Sequence, residues 1–440
     1  MGRLSEDLVL NTGFLNIGMK FFGVERQVRK IKRRNYKIIS TKYPIFNEII
    51  YATDAFPLFT ARLPVIGDFN ILKKSLSSAR LAEDMFGKKV ASKGVGLVSD
   101  VLDQAILRQL KHIFKNFSRY VEIAENVDLN VPCYATKLYL GSVYENKDDI
   151  DSCLLFNTPC SIANQSNQYI SEMVKDVTIF DMPTYSESDS SLDLVIDEIQ
   201  KFIQKLEVLA GPIDEEKVIK YTETTNQIKD LYYQFFDILK QDEYLPIAPQ
   251  SFRFMISMIN SVFIDLTTSP KYIKKNLTKL NNHLVKSVDE GKGYDASNSL
   301  RILLLPSLGG FEYSISEFLA DNDAYLFYFD LFFYKFLEKI PTSGDWVKNY
   351  GEFCLNFHES WNTLDKVVNE WVKMVKDLEI DGVILSKPTG CTYLVNAEDQ
   401  FKGELEKMDI PMTTVSFSHL GENAEESKES AKSLLANLRS

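Results

Sequence analysis

The stretch EIDGVILSKPTGCTY, residues 379–393, decides the fold of this chain. Its apolar run Val383–Leu385 predicts a buried strand, and Pro388 marks the loop that follows. The helical pattern over Asp399–Met408 leads to a second strand, which completes a strand–helix–strand unit. Cys391 is therefore expected just beyond the carboxyl end of a parallel strand, where open α/β sheets bind their ligands.

An earlier part of the chain repeats this pattern. Asp151 follows an isoleucine and precedes an apolar run and a loop that ends at Cys160, as Asp381 precedes Cys391. Each half reads strand, helix, strand, helical stretch, strand, loop, cysteine, helix, strand. The repeat predicts two doubly wound α/β half-domains whose strand-end loops face one cleft, with Cys160 and Cys391 both in it.

The length of 440 residues exceeds what one compact core needs, so several domains are expected. Between the two α/β halves, apolar residues recur at helical spacing, and the aromatic and methionine residues there are predicted to form a core. The predicted organisation is an N-terminal helical arm at 1–35, a first α/β domain at 36–185, a helical insert at 186–298 and a second α/β domain at 299–440.

Three elements are predicted with definite bounds. The pattern predicts a strand at Leu58–Ala61, a helical region over residues 76–125, and one continuous helix from Glu359 to Leu378. That last helix would directly precede the strand before Cys391.

Composition restricts the class of protein. A hydrophobic content of 45% with 25% charged residues is typical of a soluble globular protein. No run of eighteen apolar residues is present, so a membrane span is not expected. The N-terminus lacks the layout of a signal peptide, and the cytoplasm is the expected compartment.

The net charge of −11 argues against a general nucleic-acid binder, although Arg26–Arg34 is densely basic. We interpret this cluster as the solvated face of an N-terminal helix. A phosphate-bearing ligand or an acidic partner is the alternative.

The five cysteines are too few for a disulfide framework and are expected to be reduced thiols. There is no Cys-x-x-Cys and the four histidines are scattered, so zinc is not favoured. Neither cysteine loop contains a histidine that could activate a nucleophile. If Cys133 reaches the same cleft, three thiolates suit an iron–sulfur cluster with one open iron, which is a Lewis acid. Cys153 and Cys354 fall in apolar patterns and are predicted to be buried thiols.

Several segments resemble one known family. The segments Pro132-Cys133, Asp151 to Cys160, Asp381 to Cys391 and Met408–Pro411 are similar to those of the 2-hydroxyacyl-CoA dehydratase and benzoyl-CoA reductase family, and similarity extends over most of residues 36–440. The resemblance implies an α/β fold of two Rossmann-like (flavodoxin-like) halves with a helical part. It also implies that Cys133, Cys160 and Cys391 bind a [4Fe-4S] cluster.

The resemblance further implies a partner system and a chemistry. Members work as two related subunits, which here leaves a heterodimer and a homodimer open, and receive an electron from a separate ATP-hydrolysing iron–sulfur activator. The expected function is the [4Fe-4S] subunit of an oxygen-sensitive radical 2-hydroxyacyl-CoA dehydratase acting on an acyl-CoA. The alternatives are an aromatic acyl-CoA reductase subunit of the benzoyl-CoA type, a non-catalytic electron-transfer member that keeps the cluster, and a helical interaction protein with buried thiols.

Some positions depart from the family pattern. The segment Phe46–Asp54 keeps one glutamate, Glu48, and loses the family's glycine turn, while acidic Glu425 and Glu426 stand where the family has a Thr-Arg pair. Glu48 is a candidate general base, with a plain surface carboxylate as the alternative. Among residues beside the cysteines, Ser161 and Thr392 are predicted to cap helices, and donation to cluster sulfurs is the alternative. His358 and His419 carry no positive indication.

Overall fold

A computed structural model describes residues 11–21, 23–63, 115, 117–127, 131, 133–158, 160–182, 189–240, 244–266, 269–305, 313–329, 334–389, 391–418 and 422–440. Most of the helical region predicted over residues 76–125 lies outside these described residues. Residues 117–126, at its end, are helical.

The first sheet consists of four parallel strands. They are β1 (Lys37–Thr41), β2 (Ala55–Leu58), β3 (Ser152–Phe156) and β4 (Val177–Phe180), in the order β2-β1-β3-β4. Strand β3 is buried along its whole length. Continuous apolar runs of this kind are typical of parallel strands that are covered on both faces.

The second sheet has the same strand order. Its parallel strands are β7 (Leu300–Leu305), β8 (Ala324–Phe329), β9 (Gly382–Pro388) and β10 (Met412–Phe417), in the order β10-β9-β7-β8. When strands are counted within each half, both sheets read second, first, third, fourth. This is the flavodoxin-like order, and its switch point lies between the first and third strands. The predicted fold class is confirmed.

The repeated aspartate has the same role in both sheets. The Ile38 backbone N–H donates to Asp151 Oδ2 (2.9 Å), and the Arg301 N–H donates to Asp381 Oδ2 (2.6 Å). The Asp151 N–H in turn donates to Ile38 O (2.8 Å), and the Asp381 N–H to Arg301 O (3.0 Å). Each aspartate therefore ties the start of the third strand to the first strand.

Helices cover the sheets and fill the region between them. The first half has α1 (Thr12–Phe21), α2 (Val24–Lys32), α3 (Asn47–Tyr51), α4 (Tyr134–Asn146) and α5 (Ser161–Met173). Between the sheets lie α6 (Asp189–Ala210), α7 (Glu215–Leu239), α8 (Pro249–Asp265) and α9 (Pro270–Asp289), with a small antiparallel pair of β5 (Tyr244–Leu245) and β6 (Tyr294–Asp295). The second half has α10 (Tyr313–Ala320), α11 (Trp346–Asn362), α12 (Leu364–Asp377), α13 (Thr392–Glu406) and α14 (Ala424–Leu438).

The main hydrophobic core runs through both halves and the intervening helices. It joins residues of the first sheet, such as Leu154, to residues of α7, such as Tyr232, and to Val383 of the second sheet. One apolar cluster is thus shared by both halves, and α6, α7 and α8 each pack directly against both of them.

The strand predicted at Leu58–Ala61 is wrong, because the observed strand begins three residues earlier in the sequence. Strand β2 ends at Leu58, and Thr60–Arg62 forms a 3₁₀ turn. Pro57 lies within β2, which is an edge strand, where a residue without a backbone N–H is tolerated. The proline obscured the strand in the sequence pattern.

The continuous helix predicted from Glu359 to Leu378 is also wrong. The chain leaves α11 at Thr363, which is extended (φ −125°, ψ 153°), and its hydroxyl oxygen accepts a hydrogen bond from the Lys366 N–H (3.4 Å) at the start of α12. Apolar spacing continues across this break, so periodicity alone could not show it. Among the described residues, no helix is long and apolar enough to span a membrane.

Candidate functional site

Three half-buried cysteines share one local geometry. Cys133, Cys160 and Cys391 are the N-cap residues of α4, α5 and α13, with φ of −77°, −85° and −79° and ψ of 122°, 107° and 92°. None of the three cysteine side chains makes a capping hydrogen bond to its helix. Each cysteine is thus next to the positive end of a helix, where negative charge, including that of a thiolate, is stabilised.

Cys160 and Cys391 are equivalent within the repeat. Each follows the third strand of its sheet, and the loops are fixed by matching bonds: the Asn157 N–H donates to Phe180 O (3.0 Å) and the Thr389 N–H to Phe417 O (2.8 Å). Because the cysteines are the N-caps, the neighbouring Ser161 and Thr392 are the first residues inside the helices. The prediction that these two residues cap the helices is wrong.

The residue after Cys133 contacts the strand that holds the loop of Cys391. The ring of Tyr134, the residue after Cys133, makes an edge contact with Phe417 at 6.1 Å between centroids. Phe417 is the last residue of β10, and its carbonyl oxygen accepts the hydrogen bond from the N–H of Thr389, two positions before Cys391. This contact joins the start of α4 in the first half to the strand ends of the second half.

Aromatic side chains make a second junction at the strand ends. Tyr43, just after β1, contacts Phe156 (5.8 Å), Phe336 (6.0 Å) and Phe357 (6.3 Å), and the last two rings stack at 4.4 Å. Phe156 ends β3, whereas Phe336 and Phe357 belong to the second half. The carboxyl edge of the first sheet therefore packs against the second half.

The donor set is compatible with an iron–sulfur cluster. The three thiols are partly exposed, each stands at a helix N-terminus without a side-chain cap, and thiolates are the ligands such clusters require. Within the described residues no group of three or more His, Cys, Asp or Glu side chains is arranged to hold a single metal ion. A cluster places its ligands on several metals, so its thiolates lie further apart than the ligands of one ion.

A buried hydroxyl beside Cys133 has no hydrogen-bond partner among the described residues. Tyr134 is only 2% exposed, and its Oη is unpaired. Burial raises the pKa of this phenol, so it stays protonated and keeps a proton to donate. An unpaired donor next to a candidate ligand is compatible with an anionic group in this region.

Glu48 lies inside the protein. Only 3% of it is exposed, and the Tyr350 hydroxyl lies 3.0 Å from Glu48 Oε2 and 2.9 Å from Thr222 Oγ1. The interpretation as a plain surface carboxylate is therefore wrong. Phe46, just before helix α3, is fully buried and has a φ of 65°, which is a left-handed conformation. This conformation is energetically unfavourable for a bulky residue, and strained residues of this kind are frequent at functional sites.

A buried lysine lies near Glu48. Lys229 on α7 is 3% exposed, donates to Glu338 O, and lies 4.8 Å from the centroid of the Phe353 ring. Burial lowers its pKa to about 8, and the negative charge of Glu48 opposes that effect. Sequence reasoning missed Lys229 and Tyr350. The available signal was a lysine on the apolar stripe of α7, beside Ile228.

The other cysteines are as predicted. Cys153 and Cys354 are buried, and burial raises the pKa of the Cys153 thiol to about 12. Burial also raises the pKa of Cys354. All five cysteines lie in the described part of the chain, and none forms a disulfide. The side chain of His358 and all of His419 lie outside the described structure.

A family model described as 2-hydroxyglutaryl-CoA dehydratase, D-component, matches residues 45–435. The chain belongs to this family. The match covers Glu48 and all three N-cap cysteines, and it begins after α1 and α2. A search of curated proteins gave no match. Membership shows that the chain is a component of a multi-component acyl-CoA dehydratase system.

We predict that Tyr134→Phe raises the free energy of unfolding of the metal-free protein by about 1 kcal/mol, because it removes a buried donor that has no acceptor among the described residues. Urea unfolding followed by circular dichroism measures the change. Tyr139→Phe is the matched control, since the Tyr139 hydroxyl is buried but bonded to Ser40 (2.9 Å), and its loss should destabilise. Destabilisation by Tyr134→Phe would contradict the assignment.

Lys229 should make stability depend on pH. The folded protein loses this proton near pH 8, whereas an unfolded lysine keeps it to about pH 10.4, so stability contributed by this group rises between these values by up to about 1.4 kcal/mol per pH unit. Lys229→Met should remove that rise. The free energy of unfolding of the wild type minus that of Lys229→Met, both from urea unfolding, should therefore increase with pH over this range. Lys339→Met, at an exposed lysine paired with Asp230, is the control. A difference that is flat over this range for Lys229→Met would refute the prediction.

Proposed function

We propose that this chain is the [4Fe-4S] subunit of an ATP-activated radical 2-hydroxyacyl-CoA dehydratase, with Cys133, Cys160 and Cys391 as the cluster ligands. The observation that supports it best is the equivalence of Cys160 and Cys391 at the N-caps that follow the third strands of two like sheets. The Tyr134–Phe417 contact supports adding Cys133 to the set. The matched family description favours dehydration over reduction of an aromatic ring.

The chain's own residues supply the setting for this chemistry. The three helix N-termini stabilise the thiolates, and the Tyr43, Phe156, Phe336 and Phe357 rings limit water at the edge of the first sheet. When bound, the cluster would supply one low-potential electron and a Lewis-acidic iron for the thioester carbonyl. The electron would come from a separate ATP-hydrolysing activator, and a related second subunit would complete the enzyme.

Glu48 is proposed as the general base of this reaction, accepting a proton from the substrate. It follows the first strand at the same sheet edge as Cys160, and Tyr350 fixes one of its carboxylate oxygens. A base must reach the proton that it accepts within about 3 Å, so substrate binding would have to expose the other oxygen.

The burial of Glu48 also favours a second candidate, a non-catalytic member that keeps the cluster and passes electrons on. In that case Glu48 belongs to the internal hydrogen-bond network with Tyr350 and Thr222 and takes no part in chemistry. The two candidates share the cluster and differ in substrate binding.

Cysteine replacements test the cluster. Protein purified without oxygen should contain iron and acid-labile sulfide, and Cys391→Ser should lose most of both because one of three ligands is gone. Cys354→Ser is the matched control, since Cys354 is buried in α11 and should leave iron, sulfide and the spectrum unchanged. Equal effects of the two replacements would refute the ligand assignment, as would anoxic wild-type protein without iron.

Substrate binding separates the two candidates. For the dehydratase, a 2-hydroxyacyl-CoA added to the reduced, anoxic protein should change the electron paramagnetic resonance spectrum of the cluster, because a thioester at the open iron alters its ligands. Free coenzyme A is the control ligand. A spectrum that no member of a series of 2-hydroxyacyl-CoA esters changes would favour the electron-transfer candidate.

A further inference from the structure

One face of this acidic chain is strongly basic. We call it the basic face, and it consists of Lys20, Arg26, Arg29, Lys30, Arg33, Arg34, Lys271, Lys274, Lys275 and Lys279. Glu25 is the only acidic residue in the sequence between residues 11 and 34, and residues 270–288 contain none. In a chain with a net charge of −11, this segregation of charge is pronounced.

Helix packing brings the two basic segments together. Helices α1 and α9 run antiparallel: Asn16 Nδ2 donates to Asn276 Oδ1 (2.8 Å), and the Tyr272 hydroxyl donates to Asn16 O (3.1 Å). Their backbones approach so closely that a Cβ on Gly13 would lie 2.3 Å from Asn276 O. The end of α1 therefore lies beside the start of α9, and α2 begins three residues later in the sequence.

Lys20 joins the two parts of the basic face. Its ammonium lies 4.8 Å from the centroid of the Tyr272 ring on α9. Burial lowers the pKa of Lys20, and the positive charge of Lys30 on α2 lowers it further. Lys20 therefore lies against α9 and within reach of the positive charge of Lys30 on α2, which links the basic residues of the two helices.

These cations are little neutralised within the described structure. Arg29 pairs with Glu25 (2.9 Å), and the other residues of the basic face have no acidic partner among the described residues. Lys271 and Lys274 lie in the first turns of α9, next to the positive end of the helix dipole, where a cation is disfavoured. The arrangement leaves repulsion that an external anion would relieve.

The surface fits a broad partner better than a small ligand or a membrane. Its cations are exposed except for the partly buried Lys20 and Lys274. The exposed large hydrophobic residues of the described structure all lie elsewhere, at Leu194, Val208, Tyr233, Tyr244 and Val395. Among its described residues the basic face therefore has no exposed large apolar side chain to insert into a bilayer and no exposed aromatic ring for stacking bases. The rest of the chain has an excess of negative charge. This charge would repel a long polyanion that extended beyond the basic face.

We infer that the basic face docks an acidic surface of another protein component of the dehydratase system. Family membership makes the chain one component of several, and α1 and α2 precede the residues that the family model matches. The docking surface is therefore built partly from chain that lies outside the matched region. This inference rests on family membership and not on the presence of the cluster.

Zero-length cross-linking tests the inference, because a carbodiimide joins a lysine to a carboxylate in direct contact. The tagged full-length chain is isolated without oxygen from cells that make the whole system, cross-linked, and analysed by peptide mass spectrometry. We expect links from Lys271, Lys275 or Lys279 to Asp or Glu of a different protein of the same system.

Charge reversal supplies the control. Lys275→Glu combined with Lys279→Glu should lower the yield of these links and of co-purified partner about tenfold at physiological salt, because attraction becomes repulsion. Lys402→Glu combined with Lys407→Glu, at exposed lysines outside the basic face, should leave both yields unchanged. Reversal of the partner's linked carboxylates to lysine should restore binding to the Lys275→Glu, Lys279→Glu protein.

Four results would overturn the inference. They are links only within this chain or between its copies, co-purified nucleic acid whose removal by nuclease abolishes binding, binding to anionic lipid vesicles that the charge reversal abolishes, and equal partner yields from the two double variants. Iron and sulfide are measured in the same samples. A protein that docks its partner but lacks iron would refute the proposed cluster and leave this inference standing.

Discussion

Parallel pairing of the first and third strands fixes where two of the three candidate cluster ligands of this chain lie. In each sheet an aspartate at the start of the third strand accepts the backbone N–H of the first strand, through Asp151 in one half and Asp381 in the other. Once that register is set, the third strand ends at a defined level and the following helix begins there. The positions of Cys160 and Cys391 follow from this register, because each cysteine is the residue at which that helix starts.

The residue type at those helix starts carries a cost that a purely structural role does not explain. Ser, Thr, Asp and Asn at an N-cap bond to a free backbone N–H, and their absence typically costs about 1 kcal/mol per helix. The chain has cysteine at three such positions, with no side-chain cap at any of them. A ligand group that takes up those N–H donors or the thiolate charge would offset the loss, which is why the three positions belong together in the proposal.

The repeat was predictable from sequence because its signals are local. An Ile-Asp pair, an apolar run and a cysteine recur in both halves, and the strand order then follows from doubly wound topology. Contacts between distant segments were not predictable in the same way. Tyr350 lies 302 residues from Glu48 in sequence, and no periodicity links them. The break at Thr363 was hidden for a different reason, because apolar spacing continues through it.

The buried polar network shows that the intervening helices do more than connect the two sheets. Glu48 comes from the first half, Thr222 from α7 and Tyr350 from the second half, and their hydroxyl and carboxylate groups meet away from water. A buried, partly satisfied network loses most of its stability when one member moves, because the others are left without partners. Separating the two halves would therefore disturb this network. The energetic cost of opening the strand-end region is set in part by α7, far in sequence from the cysteines.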